Sequence, residues 1–170
     1  MQLRPMPPEH FDDFFAALTD GFDSCERREY KDARALFENK KFVVLEISIQ
    51  DTTIGYITTW AVGKFVFIEH FVILEEYRNH GYGKEVMEFF KKEFPNILLE
   101  AEPPTGEIQR RRLGFYKRCG FHQNPQSYSQ PPYRAGDAAV PLVIMSYPEL
   151  LSDFDGTVAE IYRTVYGIEL

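Results

Sequence analysis

Phe65-Val66-Phe67-Ile68-Glu69-His70-Phe71-Val72-Ile73-Leu74 is apolar on both faces and runs through a short loop, Glu75–His80, into Gly81-Tyr82-Gly83. With strict alternation, Phe65, Phe67, Glu69, Phe71 and Ile73 share one face, and Val66, Ile68, His70, Val72 and Leu74 the other. Only Glu69 and His70 interrupt them. This predicts a central strand covered on both sides, because a half-solvated strand would alternate apolar with polar residues. A helix follows, with Val86, Phe89, Phe90 and Phe94 along one stripe and Pro95 ending it. Ile97–Glu102 is a second strand, stopped by Pro103-Pro104. A strand, a helix and a strand in succession predict that the strands at 65–74 and 97–102 run parallel.

Upstream, Phe42–Ile49 and Gly55–Val62 read as strands joined by Gln50–Thr53, and Gly63-Lys64 leads into Phe65, which makes an antiparallel meander. Before it, Pro7-Pro8-Glu9 opens a helix through Phe11, Phe14, Phe15 and Leu18 that stops near Gly21. A more polar helix is expected from Arg27 to Glu38. Downstream, Glu107–Cys119 is a helix, and strands around Phe121–Gln126 and Ala139–Tyr147 complete the sheet. The connection Pro125–Gly136, with Tyr128, Tyr133 and Arg134, is long for a hairpin and is either a binding element or a packed surface loop. The expected class is α/β (α+β): a mixed, mostly antiparallel sheet of about seven strands with helices on both faces. Residues 1–147 make the main body, and 148–170 an extra C-terminal helix that is part of the same domain.

The chain's 170 residues suit one domain. Apolar residues at 44% and charged ones at 26% exclude a disordered or collagen-like chain. A net charge of −7 argues against sequence-independent nucleic-acid binding, which needs a positive surface. Arg110-Arg111-Arg112 with Lys117-Arg118 therefore reads as a solvated helix face. Cys25 and Cys119 match no metal-ligand spacing and read as free thiols of a reducing cytoplasm. His10, His80 and His122 show no ligand spacing, so no metal is indicated. Neither a signal-peptide run nor the ~18 consecutive apolar residues of a membrane span occurs, which makes a cytoplasmic protein without a membrane partner the expectation.

Arg78-Asn79-His80-Gly81-Tyr82-Gly83-Lys84 sits between a buried strand and a helix. Its glycines permit a tight turn in which several N–H groups point at one anion, and the helix adds the positive end of its dipole. Arg78 and Lys84 add charge. The spacing is neither that of a Walker A loop nor that of a dinucleotide fingerprint. Arg78-x-x-Gly81-x-Gly83 resembles the acetyl-CoA pyrophosphate loop of the GNAT superfamily of N-acyltransferases. Leu113-Gly114-Phe115-Tyr116-Lys117-Arg118-Cys119-Gly120-Phe121 resembles that superfamily's second signature, a tyrosine-bearing helix ending in Gly-Phe. The element order agrees from about Met1 to Tyr147. One departure is Gln109, where many members carry asparagine seven residues before the tyrosine.

The resemblance implies acetyl-CoA as cosubstrate, held by residues 78–84, Gln109 and Tyr116, with a splayed parallel pair of strands admitting the pantetheine arm along Phe71, Val72 and Ile73. It implies Tyr116 as general acid. The base is to be sought among Glu69, Glu100, Glu102 and His70. Glu69 ranks first because burial among aromatics should raise its pKa toward neutrality, and Glu100 second. His70 is more simply a hydrogen-bonded core residue. The implied activity is acetyl transfer by direct attack in a ternary complex to a primary amine of a small molecule. An idle acyl-CoA-binding module and a protein lysine or N-terminal acetyltransferase are the alternatives, and a homodimer is left open.

Asp153-Phe154-Asp155-Gly156-Thr157-Val158 looks like the nucleophile loop of haloacid dehalogenase-like phosphatases. Only thirteen residues follow Thr157, with no Lys or Asp among them, so that chemistry lacks its partners. Thr157-Val158-Ala159-Glu160 reads instead as the capping box of a helix ended by Gly167, docking on its own domain or on a partner.

Overall fold

The computed structural model of the chain describes residues 1–168. Its strands are β1 (Gln2–Pro5), β2 (Phe42–Ile49), β3 (Thr52–Val62), β4 (Phe65–Ile73), β5 (Ile97–Ala101), β6 (His122–Gln123), β7 (Tyr128–Gln130) and β8 (Val140–Tyr147). They form an eight-stranded sheet in the order β1-β2-β3-β4-β5-β8-β6, with β7 also on β8. The helices are α1 (Phe11–Gly21), α2 (Tyr30–Ala35), α3 (Tyr82–Glu93), α4 (Glu107–Arg118) and α5 (Phe154–Ile161), the last continuing as a π-helical turn, Tyr162–Tyr166. Among the described residues only β4 and β5 pair in parallel.

The helices bury most of the apolar stripes their sequences carry, but Phe89 of α3, expected on its stripe, is exposed, and Met87 is buried instead. Phe11, Phe14 and Leu18 of α1, Ala33 of α2, and Phe154, Ile161 and Val165 of the C-terminal segment share one core with Trp60, Phe67 and Leu98. On the opposite face, Val86, Met87 and Phe90 of α3 and Leu113 and Tyr116 of α4 pack on Ile57, Ile68 and Leu99. The C-terminal helix thus docks on its own chain. It starts earlier than the capping box implied: Asp153 caps it, its Oδ1 accepting from Gly156 N at 3.0 Å, and Phe154 is its first residue. This gives the phosphatase-like aspartate a structural role.

β4 departs from strict alternation at one point, and that point is the site. Ile68 pairs with Thr59 and His70 with Thr58, so Glu69 has no partner of its own in the ladder. This bulge reverses the parity of the strand. Phe65 and Phe67 lie on the α1/α5 face but Phe71 and Ile73 on the α3/α4 face, where an unbroken strand would put all four together. The consecutive residues Glu69 and His70 both turn to the α1/α5 side, toward Trp60 and Phe22.

Pairing between β4 and β5 is limited to Val66↔Ile97, Phe67↔Leu98 and Ile68↔Leu99. Past the bulge the strands separate, and the edge of β4 from Glu69 to Ile73 that faces β5 has no strand partner. β3 covers its other edge closely: a Cβ at Gly55 would come within 2.3 Å of the Val72 carbonyl oxygen. Glycine is required there by lack of space.

Other differences are local. The hairpin between β2 and β3 turns on two residues, Gln50 and Asp51, both at positive φ (49° and 62°), so β3 begins at Thr52. The helix expected over 27–38 is α2 plus a 3-10 turn at Leu36–Glu38. The strand expected over 121–126 shrinks to His122–Gln123, and the connection after it holds the additional β7. Cys25 is exposed and Cys119 buried, and they are not bonded to one another.

Candidate active site

The loop before α3 is built for its backbone. Gly81 is its left-handed N-cap residue, with φ 85°, and Asn79 also sits at positive φ, 64°. A Cβ at Gly81 would meet nothing within 4 Å, so glycine serves conformation there and not space. Lys84 N and Glu85 N both reach the Gly81 carbonyl, at 3.1 and 3.3 Å. The five preceding N–H groups, of residues 79–83, make no hydrogen bond within the described residues. Five free donors at a helix N-terminus form a cradle that fits a diphosphate. Arg78, whose Nε donates to the Ile73 carbonyl at 2.8 Å, lines the adjoining cleft with Asn79 and Gly83. His80 and Tyr82 stack on one another at 6.0 Å outside it, and Lys84 lies on a separate surface with Met1 and Phe89.

The cleft is the gap left where β4 and β5 part. It encloses about 470 Å³ and is lined along the strands by residues 68–73 and 99–102. Phe71, Val72 and Ile73 present backbone to it, next to the loop. Two faces of the sheet meet across this gap. Glu69 and Glu100 turn to the α1/α5 side, and Tyr116 reaches the cleft from the α3/α4 side.

Glu69 is fully engaged. Its carboxylate accepts from Arg28 Nη1, from Trp60 Nε1 at 2.8 Å and from Tyr133 Oη at 2.8 Å. Arg28 also lies over the rings of Trp60 and Tyr133, 5.5 and 4.6 Å from their centroids, and its Nη2 donates to the Val165 carbonyl at 2.6 Å. Burial pushes the Glu69 pKa up, but the Arg28 charge and these donors outweigh it and hold it below the ordinary carboxylate value. The expectation of a raised pKa is therefore reversed, because a buried cation sits where the sequence showed only aromatic neighbours.

Glu100 takes the opposite direction. Burial pushes its pKa up to about 7, although the hydroxyls of Tyr128 and Tyr166 pull the other way. Tyr128 donates to Oε1, and Tyr166 Oη lies 3.0 Å from Oε1 and 2.8 Å from Oε2. The ionised Glu69 adds to the upward shift and Arg28 opposes it.

His70 is used up structurally. Thr58 Oγ1 accepts from the His70 backbone N–H at 2.9 Å, so the hydroxyl proton is free to donate to Nδ1, 3.1 Å away. That leaves the proton on Nε2, which donates to the Glu26 carbonyl at 2.9 Å. Burial lowers the His70 pKa and keeps the ring neutral. Its job is to fasten the segment around Glu26 to β4.

Tyr116 is 8% exposed, and its hydroxyl makes no hydrogen bond among the described residues. Burial pushes its pKa up to about 12, so it carries its proton at neutral pH. Gln109 does not line the cleft. Its Nε2 donates to Glu102 Oε1 at 3.2 Å, and Arg112 binds the other oxygen of Glu102. Arg28, Trp60 and Tyr166 carried no signal as site residues in the sequence. Tyr128 and Tyr133 stood in a connection noted for its length, and nothing local marked Arg28 or Tyr166.

Residues 8–121 match the model of the Acetyltransferase (GNAT) family. A GNAT-family chain from Bacteroides thetaiotaomicron assigned as an acetyltransferase is 31% identical, with 99% of this chain covering 100% of that one at a TM-score of 0.94. The fold is shared more distantly with the ribosomal-protein-S18-alanine N-acetyltransferase of Escherichia coli (12% identity, 91% of this chain and 97% of that one, TM-score 0.62). It is also shared with an aminoglycoside 6′-N-acetyltransferase complexed with coenzyme A (13%, 90% and 100%, TM-score 0.60). No curated protein sequence matches the chain. The cradle, the parted strands and these likenesses agree: the chain belongs to the GNAT acetyltransferase family and is an acyltransferase.

Proposed function

We propose that this protein moves an acetyl group from acetyl-CoA to a primary amine of a small cationic molecule, by direct attack in a ternary complex. The observation that carries the reading is the meeting, across one gap in the sheet, of Glu100 from one face and Tyr116 from the other. Acetyl-CoA supplies the thioester carbonyl and the thiolate leaving group. The N–H groups of residues 79–83 hold its diphosphate, with Arg78 beside them, and the open backbone edge at Phe71–Ile73 orients the arm. A strand N–H there polarises the carbonyl.

Glu100 is the base. A group with pKa about 7 is half ionised at neutral pH, and it takes the proton that an alkylammonium must lose before attack. Glu69, held ionised by Arg28, supplies fixed negative charge beside it. Tyr116 Oη gives its proton at the sulfur end of the cleft. A cationic acceptor is favoured because Asp20, Glu26, Glu69, Glu100 and Glu102 line the cleft against Arg78 and Arg112 alone. The distant fold neighbours that are named for spermidine and aminoglycosides act on amines of this kind. A small molecule is favoured over a protein because β7, its loop and the C-terminal turn wall off the acceptor end around Glu69 and Glu100.

The test is thiol release from acetyl-CoA across a panel of amines, followed by two variants on the best acceptor. Glu100→Gln should lower kcat/KM by ~10²–10⁴-fold and remove the acidic limb of the pH profile, whose midpoint is expected near 7. Tyr116→Phe should lower kcat within that range with KM for acetyl-CoA little changed. An intact acidic limb in Glu100→Gln would place the base elsewhere, and binding of CoA without release by any amine would favour the idle module.

A further inference from the structure

Glu100 is reached by two hydroxyls from parts of the chain distant in sequence, and each is separately anchored. β7 carries Tyr128 and is held on β8 by Tyr128↔Leu142, Ser129↔Pro141 and Gln130↔Val140. The C-terminal segment carries Tyr166. It is fixed by Val165 in the core, by the Tyr162 hydroxyl on the Ser129 carbonyl, and by Arg28 on the Val165 carbonyl at 2.6 Å. The turn that presents Tyr166 is π-helical, a rare form that occurs mostly as single turns and is frequent at functional sites. Tyr166 packs edge-on to Tyr162 at 6.2 Å and against Tyr133 at 5.5 Å, so its ring is wedged in place.

We propose that Tyr128 and Tyr166 are positioning residues for Glu100: their hydroxyls fix the direction of its carboxylate and stabilise its charged form. The C-terminal segment is then a working part of the acceptor site. The inference deepens the acyl-transfer reading and rests on Glu100 being the base. The groups facing Glu100 are the two hydroxyls, Glu69 from the bulge of β4, Arg28 from the segment before α2, Tyr133 from the loop after β7 and Tyr162 from the C-terminal turn. Glu69 is already claimed by Arg28, so the hydroxyls are the donors that touch the Glu100 carboxylate itself. Donors to the charged form favour ionisation. If the tyrosines merely found a buried acceptor for themselves, removing one would destabilise the fold equally at every pH.

The variants are Tyr166→Phe and Tyr128→Phe, with Val165→Ala as a packing control that keeps both hydroxyls. The first readout is Tm without ligand at pH 5 and pH 8. The folded pKa of Glu100 lies above its unfolded value of about 4.5, so the folded chain holds a proton that the unfolded chain has released. Stability from this group therefore falls as pH rises from about 4.5 to about 7. Losing a donor raises the folded pKa further, so each Tyr→Phe variant should lose more Tm at pH 8 than at pH 5. Val165→Ala should lose the same at both. Adding Glu100→Gln to Tyr166→Phe should erase the difference.

The second readout is the acidic limb of kcat/KM, which should move up by roughly one unit in each Tyr→Phe variant, a roughly tenfold loss at pH 6 that closes toward pH 9. Equal Tm losses at the two pH values with an unmoved limb overturn the proposal. A pH-dependent Tm loss alongside a fully active Glu100→Gln variant supports the positioning contact and overturns the base assignment. Should one tyrosine variant fail to fold, the other decides by the same two readouts.

Discussion

At one end of the cleft, proposed above for the cofactor, lie the N–H groups of five consecutive residues, 79–83; at the other, proposed for the acceptor, lie side chains from six separate segments. The cofactor end needs only a backbone turned the right way, which Gly81 at positive φ and the start of α3 provide. Its side chains need not enter the cleft, and His80, Tyr82 and Lys84 do not line it. The acceptor end needs two buried carboxylates kept in different protonation states. That takes a cation on one, hydroxyls on the other, and walls that exclude water from both. A local device is robust to its surroundings, whereas a charge-balanced cluster exists only when the whole fold has closed.

The largest expected effect follows from breaking that balance. Arg28→Met removes the cation from Glu69, whose side chain is 2% exposed, and should lower the stability measured by urea unfolding at pH 7 by about 3–5 kcal/mol. The sign with pH is fixed by the depressed folded pKa of Glu69. Its contribution is complete above the unfolded value of about 4.5 and is lost as pH falls through the lower folded value, so the gap between parent and variant should narrow in acid. A gap below about 1 kcal/mol at pH 7 would mean that the acceptor end is no more dependent on tertiary charge than the cradle.

The cofactor end should respond in the other way. A Cβ at Gly83 would meet the Phe115 ring at 3.5 Å, an ordinary contact, so Gly83→Val should fold with parental stability. The added branches cover the free N–H groups. Stabilisation by CoA, about 2.7 kcal/mol at a hundred times Kd in the parent, should vanish in thermal shift. Undiminished stabilisation would place the diphosphate elsewhere.

The smallest effect belongs to the helix that carries Tyr166 into the acceptor end. Asp153→Ala removes the cap of α5 at the far end of that segment and should cost about 1 kcal/mol of stability. Transferase activity and its pH profile should stay at the parental level, while the phenylalanine variants of the tyrosines should not. Magnesium-dependent phosphatase activity lost in Asp153→Ala would restore the reading that its capping role displaces.

The parts of the fold legible in sequence were those with a short-range signal. The helical stripes, the doubly apolar strand, the Gly81-Tyr82-Gly83 turn and the parallel strand pair all follow from residues near one another. Glu100 and Tyr116 were legible as candidates, whereas the partner of Gln109 was not: its side chain turns to Glu102 and does not line the cleft. The parity of β4 was not legible. A bulge adds one residue against the facing strand, and no composition marks Ile68-Glu69 as the place. The relative rank of Glu69 and Glu100 was not legible either, since both are buried acids on central strands.

By itself, then, the sequence determined the helices, most of the strands, the family and the turn that opens α3, because periodicity, glycine and proline act over a few residues. Only the tertiary structure decided which carboxylate is held ionised and which is poised near neutrality. Arg28 lies 41 residues from Glu69, and Tyr166 lies 66 residues from Glu100. A pKa depends on the charges and donors within a few ångströms in space, and chain closure, not spacing, puts them there.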